Sequence, residues 1–205
     1  MKILVACEYT GVVRDCFLAL GHDAMSCDIL DTEVPGPHYK GDVRDILHKD
    51  WDMMIAHPPC TYICVSGLHW NKRQPEREAK TVEALEFVET LWNSGIDKIC
   101  IENPVGCINT RLSFMPKPQY IQPYEFGEDA SKKTGLWLKN LSPLEPTEYV
   151  EPRLVVKNNT TYKRWDNQTD SGQNKLPPSK TRGLDRSRTY FGIAYAMASQ
   201  WGQVL

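Results

Sequence analysis

Three short runs, Ile3-Leu4-Val5-Ala6-Cys7, Met53-Met54-Ile55-Ala56 and Ile99-Cys100-Ile101, are apolar without interruption. A strand with one wet face alternates apolar and polar residues, whereas a strand buried on both faces reads as a continuous apolar stretch. These runs therefore predict strands of a parallel sheet covered by helices on both sides. The sequence between them has helical spacing. Residues 12–20 predict one helix, closed by Gly21 in a C-cap role. Residues 76–92 predict a longer one, with Val82, Leu85, Val88 and Leu91 recurring at helical intervals. A further strand is expected over 23–27, ending at Asp28, and a short one around Leu136-Trp137-Leu138. A last helix over 193–201 presents Ile193, Met197 and Trp201 as one core-facing stripe. Alternating strands and helices with short connections give an α/β fold with a mainly parallel sheet.

At 205 residues, with 24% charged residues and a net charge of −2, the chain reads as one globular domain with a substantial core. No apolar run approaches the roughly 20 residues that a membrane span requires. The opening Met1-Lys2-Ile3-Leu4-Val5 has no signal-peptide layout, so a cytoplasmic location is expected. The seven cysteines are an odd number and are read as reduced thiols. They form no Cys-x-x-Cys pair, and a metal site is not expected. Charge is unevenly distributed. Between residues 157 and 188 eight Lys and Arg face three Asp, in a stretch read as a polar, basic loop.

Chemistry concentrates after two of the core strands. Pro58-Pro59-Cys60 follows the second apolar run, and Glu102-Asn103-Pro104 follows the third, with Glu102 standing 42 residues beyond Cys60. Ligand sites of open α/β sheets gather outside the carboxyl ends of the strands. A thiol and a carboxylate leaving two such ends can face one pocket, which suits covalent attack on an electron-poor ring gripped by the acid. His57, just before the prolines, reads as a loop histidine, and Trp137 and Trp201 as core.

In motif order over nearly its whole length, the chain resembles the cytosine-5 DNA methyltransferases, in particular the small versions of phage and prophage genomes. Ala6-Cys7-Glu8-Tyr9-Thr10-Gly11 stands where the family has its first cofactor loop. Asp28 matches the acidic residue that holds the cofactor ribose, and Gly41-Asp42-Val43 resembles the segment whose Asp approaches the adenine. Pro59-Cys60 matches the Pro-Cys nucleophile, and Glu102-Asn103 the segment that binds the target cytosine. Gly192-Ile193-Ala194-Tyr195-Ala196-Met197-Ala198 is similar to the last motif. The resemblance implies a Rossmann-like methyltransferase fold and S-adenosyl-L-methionine as cofactor. It implies cofactor contacts from Glu8, Tyr9, Thr10, Gly11, Asp28, Asp42, Val43 and Pro58, and catalysis by Cys60, Glu102 and Asn103. Three departures stand out. Tyr9-Thr10-Gly11-Val12-Val13 replaces Phe-x-Gly-x-Gly, so that Val13 is expected to crowd the cofactor where a glycine would let the backbone approach. The Gln-x-Arg-x-Arg strand has no literal match, and Lys133 is expected to supply its cation. About 45 residues, 140–184, fill the place of a target-recognition domain.

By this resemblance Cys60 adds as a thiolate to C6 of the cytosine, and Glu102, protonated when engaged, bonds the N3 edge. Pro59 and Lys133, with Lys163 and Arg164 of the basic stretch, are expected at the substrate. DNA is the expected partner, and Arg186 and Arg188 are expected to brace the pocket. An insert of 45 residues offers little surface beside the roughly 1,000–2,500 Å² of specific DNA interfaces. Low sequence specificity, a homodimer or a smaller substrate would each accommodate that. Two alternatives stand beside this reading. His57-Pro58-Pro59-Cys60 faintly resembles the Asp/Asn-Pro-Pro-Tyr/Phe loop of adenine-N6 and cytosine-N4 methyltransferases, although Cys60 takes the place of the aromatic ring. A non-catalytic nucleotide- or DNA-binding phage accessory protein of the same fold is the other.

Overall fold

The computed structural model describes residues 1–203. Its elements run β1 (Lys2–Ala6), α1 (Val12–Ala19), β2 (Asp23–Asp28), β3 (His38–Lys40), β4 (Met53–Ala56), α2 (Val65–Leu68), α3 (Pro75–Trp92), β5 (Lys98–Pro104), α4 (Ile108–Arg111), β6 (Gln119–Ile121), β7 (Thr134–Lys139), β8 (Arg153–Lys157), β9 (Thr160–Arg164), α5 (Arg182–Ser187) and α6 (Phe191–Trp201). Seven strands form one sheet in the order β3-β2-β1-β4-β5-β7-β6. The first five pair in parallel, while β7 lies antiparallel to both β5 and β6. With helices on both faces, this is a Rossmann-like α/β architecture with β7 placed antiparallel near one edge. Among the described residues no helix is long and apolar enough to cross a membrane.

The uninterrupted apolar runs are buried on both faces, as their composition requires. Ile3 and Val5 face one layer with Val13 and Phe17 of α1 and Ala194 and Met197 of α6. Leu4 and Ala6, pointing the other way, pack with Val88 and Leu91 of α3 and with Ile99 and Trp137. Each such side chain contributes about 1.5–3 kcal/mol by leaving water. The buried stripe of α3 is Thr81, Leu85, Val88 and Leu91. Val82, expected in that stripe, is 40% exposed. Thr81 fits the interior because its hydroxyl donates to Tyr62 O at 2.8 Å, joining α3 to the loop after β4. Trp137 and Trp201 are buried, as expected of core residues.

Two differences from the sequence expectation matter for function. β5 runs on to Pro104 instead of ending at Ile101, because β7 pairs with Glu102, Asn103 and Pro104 after β4 has stopped at Ala56. Within the basic stretch, β8 and β9 form a two-stranded sheet of their own. Their turn is Asn158-Asn159, both with positive φ (49° and 57°), the backbone that a two-residue hairpin turn of matching twist demands.

Candidate active site

Strand order reverses between β1 and β4, and the carboxyl ends of these two strands open the crevice where ligands bind in such sheets. The β1 side is a tight turn. Cys7 has φ 58° and Gly11 φ 78°, so two left-handed residues fold the chain back into α1. Glu8 is buried here. Its carboxylate accepts from Val13 N at 2.7 Å, from Arg14 N at 3.3 Å and from the Thr10 hydroxyl at 3.3 Å, taking up the free N–H groups that begin a helix. Glu8 and Thr10 are thus turned inward, leaving the Cys7–Gly11 backbone to line the crevice. Tyr9 reaches Leu184 O through its hydroxyl at 3.2 Å. Val13 does not crowd this turn, contrary to expectation. It is fully buried on the core side of α1, since a helix in its first turn carries that position toward the sheet.

Beneath the turn lies Arg14, fully buried. It donates to Ser26 Oγ at 3.1 Å, to Thr32 Oγ1 at 3.2 Å, to Val34 O at 3.0 Å and to Asp15 at 2.7 Å. A Cβ on Gly11 or Gly36 would come within 2.4 or 2.7 Å of its guanidinium, so both glycines make room for it. Asp28, at the end of β2, accepts from Leu30 N through one oxygen. Asp42 caps a short 3₁₀ turn over Val43–Asp45 and pairs with Arg44, which holds its carboxyl below the usual range. Val43 is buried in the core. Burial and the charges of Asp28, Asp42 and Asp45 push the Cys27 thiol up to about 12. The carboxylates here are set against the buried Arg14 and against Arg44. A half-buried carboxylate at the end of β2 and a tight turn after β1 fit a ribose-bearing cofactor such as S-adenosylmethionine.

On the other side the loops after β4 and β5 are stitched together. Asn103 donates through Nδ2 to Pro58 O at 2.7 Å. Val65 N meets Val105 O at 3.0 Å, and Cys107 N meets Ile63 O at 2.9 Å. Gly106 permits this approach, since a Cβ there would stand 2.1 Å from Ile63 O. Pro58 is buried, Pro59 exposed and Cys60 half-buried. The thiol of Cys60 is pushed up by a hydrogen bond to Cys64, by burial and by the charges of Cys64 and Glu102, with Lys132 opposing. Cys64 moves the opposite way. The bond from Cys60 lowers it most, and it also gains the Ser66 hydroxyl and the N–H groups of Gly67 and Ser66. Of the two thiols, Cys60 is thus the harder to ionise at rest.

Glu102 is nearly buried, and burial alone would raise its pKa. Lys132, a hydrogen bond and the charge of His57, and the Thr134 hydroxyl overcome this and hold it below the ordinary carboxylate value. His57 Nδ1 lies 3.2 Å from Glu102 Oε2. The cation beside Glu102 is thus Lys132 and not Lys133. Lys132 acts on Glu102 through its charge, while the exposed Lys133 sits 4.4 Å over the Tyr120 ring. Lys163 and Arg164 stand apart from these groups, on β9. Arg188 pairs through both guanidinium nitrogens with Glu33 at 2.6 Å, and its carbonyl accepts from Lys132 at 3.2 Å. Arg14, His57, Gly106 and Lys132 are the residues that the sequence reading missed. Among them His57, next to Pro58-Pro59-Cys60, and Gly106, next to the Glu102-Asn103-Pro104 motif, stand beside a local signal.

No family model and no curated protein matches the chain. Among solved structures it is similar to a protein described as a DNA modification methyltransferase encoded within a prophage of E. coli. The identity is 13% and the TM-score 0.47, over 73% of this chain and 52% of that one. It is also similar to WbdD, solved with a kinase inhibitor, at 10% identity and a TM-score of 0.38, over 81% of this chain and 42% of that one. The chain thus spans about half the length of the first and two fifths of the second.

Proposed function

We propose that the chain transfers a methyl group from S-adenosylmethionine to C5 of cytosine in DNA, with Cys60 as nucleophile. The observation that carries this reading is the joining of the Cys60 loop to the end of β5, with Asn103 Nδ2 on Pro58 O at 2.7 Å. It holds a thiol and a carboxylate at neighbouring strand ends. C5 of cytosine is a poor nucleophile until something adds at C6. Cys60 Sγ forms the bond to C6 as its proton passes to solvent, and Glu102, which takes up a proton from solvent as the ring is engaged, donates it to N3. Asn103 keeps the Cys60 loop in register with Glu102. S-adenosylmethionine, when bound, supplies an electrophilic methyl group to C5, with Asp28 at its ribose and the Cys7–Gly11 backbone as one wall. Loss of the C5 proton to water and departure of Cys60 complete the reaction. A cytosine in duplex DNA must first leave the stack, at a cost of a few kcal/mol.

The second reading is a non-catalytic DNA- or nucleotide-binding protein of the same fold, in which Cys60, the harder of the two neighbouring thiols to ionise, stays unreacted. One experiment separates the two. A 5-fluorocytosine oligonucleotide with cofactor should form a covalent complex with the wild type and none with Cys60→Ser, while both bind cofactor alike in calorimetry. Methyl transfer by Cys60→Ser at the wild-type rate would end the cytosine-5 mechanism and promote amino-group methylation. Cofactor binding without capture would leave amino-group methylation in play, and neither would favour the binding protein.

A further inference from the structure

His57 takes no part in the steps just given, yet it stands at their centre. Its backbone N–H extends the sheet to Ala6 O at 2.9 Å, which fixes the origin of its ring at the point where strand order reverses. Only 9% of its side chain is exposed. Nδ1 lies 3.2 Å from Glu102 Oε2, while Nε2 is buried and meets no hydrogen-bond partner. A histidine kept for packing alone has its buried nitrogens paired, because an unpaired buried polar atom costs about 1–3 kcal/mol. This ring leaves one nitrogen unpaired and gives the other to a carboxylate. The charged groups acting around it are Glu8 from the turn after β1, Glu102 from β5, and Lys132 from the segment before β7, which acts on Glu102.

We propose that His57 is the positioning residue of Glu102, its Nδ1 anchoring Oε2 so that the other carboxylate oxygen is presented to the cytosine N3 edge. The proposal rests on the cytosine-5 reading. An ionised carboxylate only accepts hydrogen bonds, so Nδ1 carries the hydrogen and donates it. That bond stops the carboxylate from turning about its last torsion and favours its ionised form until the ring arrives. Lys132 and Thr134 add charge and a further hydrogen bond, but neither is joined to the crevice backbone at Ala6 as His57 is.

His57→Phe keeps the ring and removes Nδ1, while His57→Asn keeps a donor near the same place without a titrating ring. Capture of a 5-fluorocytosine oligonucleotide should slow by about ten- to a hundredfold in the Phe variant, the scale of a misplaced reacting group. The Asn variant should recover most of that rate, with cofactor affinity unchanged in both. The limb of the pH–rate profile belonging to Glu102 should move to higher pH in the Phe variant, since its ionised form has lost a donor. Carboxyl ¹³C NMR of Glu102 in the substrate-free protein should show the same upward move. That measurement needs no activity, and should His57→Phe fail to fold it is made on His57→Gln. Capture by the Phe variant at the wild-type rate, or an unmoved Glu102 titration, overturns the positioning role alone. Absence of capture by the wild type refutes cytosine-5 transfer, and the positioning role with it.

Discussion

Glu102 carries the most informative charge in the molecule, because burial and its neighbours pull its ionisation in opposite directions. Lys132, His57 and Thr134 prevail, and its folded pKa lies below the ordinary value of about 4.3 for Glu. A carboxyl group lowered on folding adds stability that is fully present above its unfolded pKa and is lost as pH falls through the folded one. Urea unfolding of the wild type and Glu102→Gln across pH 3–7 should therefore show the wild type gaining on the variant as pH rises, whatever offset separates them at acid pH. Parallel curves would mean that the carboxyl is not lowered. The placement of Cys60 and Glu102 at neighbouring strand ends was legible because each follows an apolar strand. The pull of Cys64 on the Cys60 thiol was not, since the two share a turn only through the bond from Cys64 N to Cys60 O. Lys132 was passed over for Lys133 for a similar reason: two adjacent lysines look alike until the fold lays one of them over the Tyr120 ring.

At the scale of elements, the site depends on loops held as firmly as strands. The loop after β4 is tied by Arg77 to Thr61 O at 2.6 Å, by Thr81 to Tyr62 O, and by the backbone pairs around Gly106. Gly106→Ala would drive a Cβ into Ile63 O, a backbone atom that cannot turn aside. Such overpacking costs about 1–3 kcal/mol, read by urea unfolding. Capture of 5-fluorocytosine should fall further than the unfolded fraction explains, because the two loops would be forced apart. Gly183→Ala in α5, where a Cβ meets nothing within 4 Å, is the control and should leave both measurements unchanged. The parallel core strands and the long helices were readable from apolar runs and periodicity. The end of β5 was not, because an antiparallel partner arriving from residues 134–139 extends it, and no local pattern announces that pairing. The β8–β9 hairpin was hidden by its polarity, although Asn158-Asn159 is itself a turn signal.

At the scale of the whole molecule, the hairpin and the crevice are joined by one docking segment. The chain leaving β9 packs Trp165 flat on Tyr124 at 3.9 Å. It then exchanges hydrogen bonds between Asn167 and Ser131, at 2.9 and 3.0 Å, next to Lys132. The base of the hairpin therefore stands close to the residue that acts on Glu102 and Cys60, while Lys157 and Lys163 are exposed on its strands. Arg164 is more committed, bonding Lys163 O and Asp170 O and resting on the Tyr162 ring. Arg153 pairs with Asp170. The two lysines are thus the better test of phosphate contact, and removing them leaves the hairpin's internal bonds alone. If the hairpin lies along DNA, binding should weaken with salt in proportion to the phosphates neutralised, by a slope of about 0.9 per contact. Lys157→Gln with Lys163→Gln should shallow that slope by about two contacts and weaken all sequences alike, because phosphate contacts position without specifying. Fluorescence anisotropy with labelled duplexes over a salt series measures both. A slope unchanged by the double substitution would remove the hairpin from the DNA path. Capture of 5-fluorocytosine that persists at the wild-type rate would then point to a substrate held by the crevice alone.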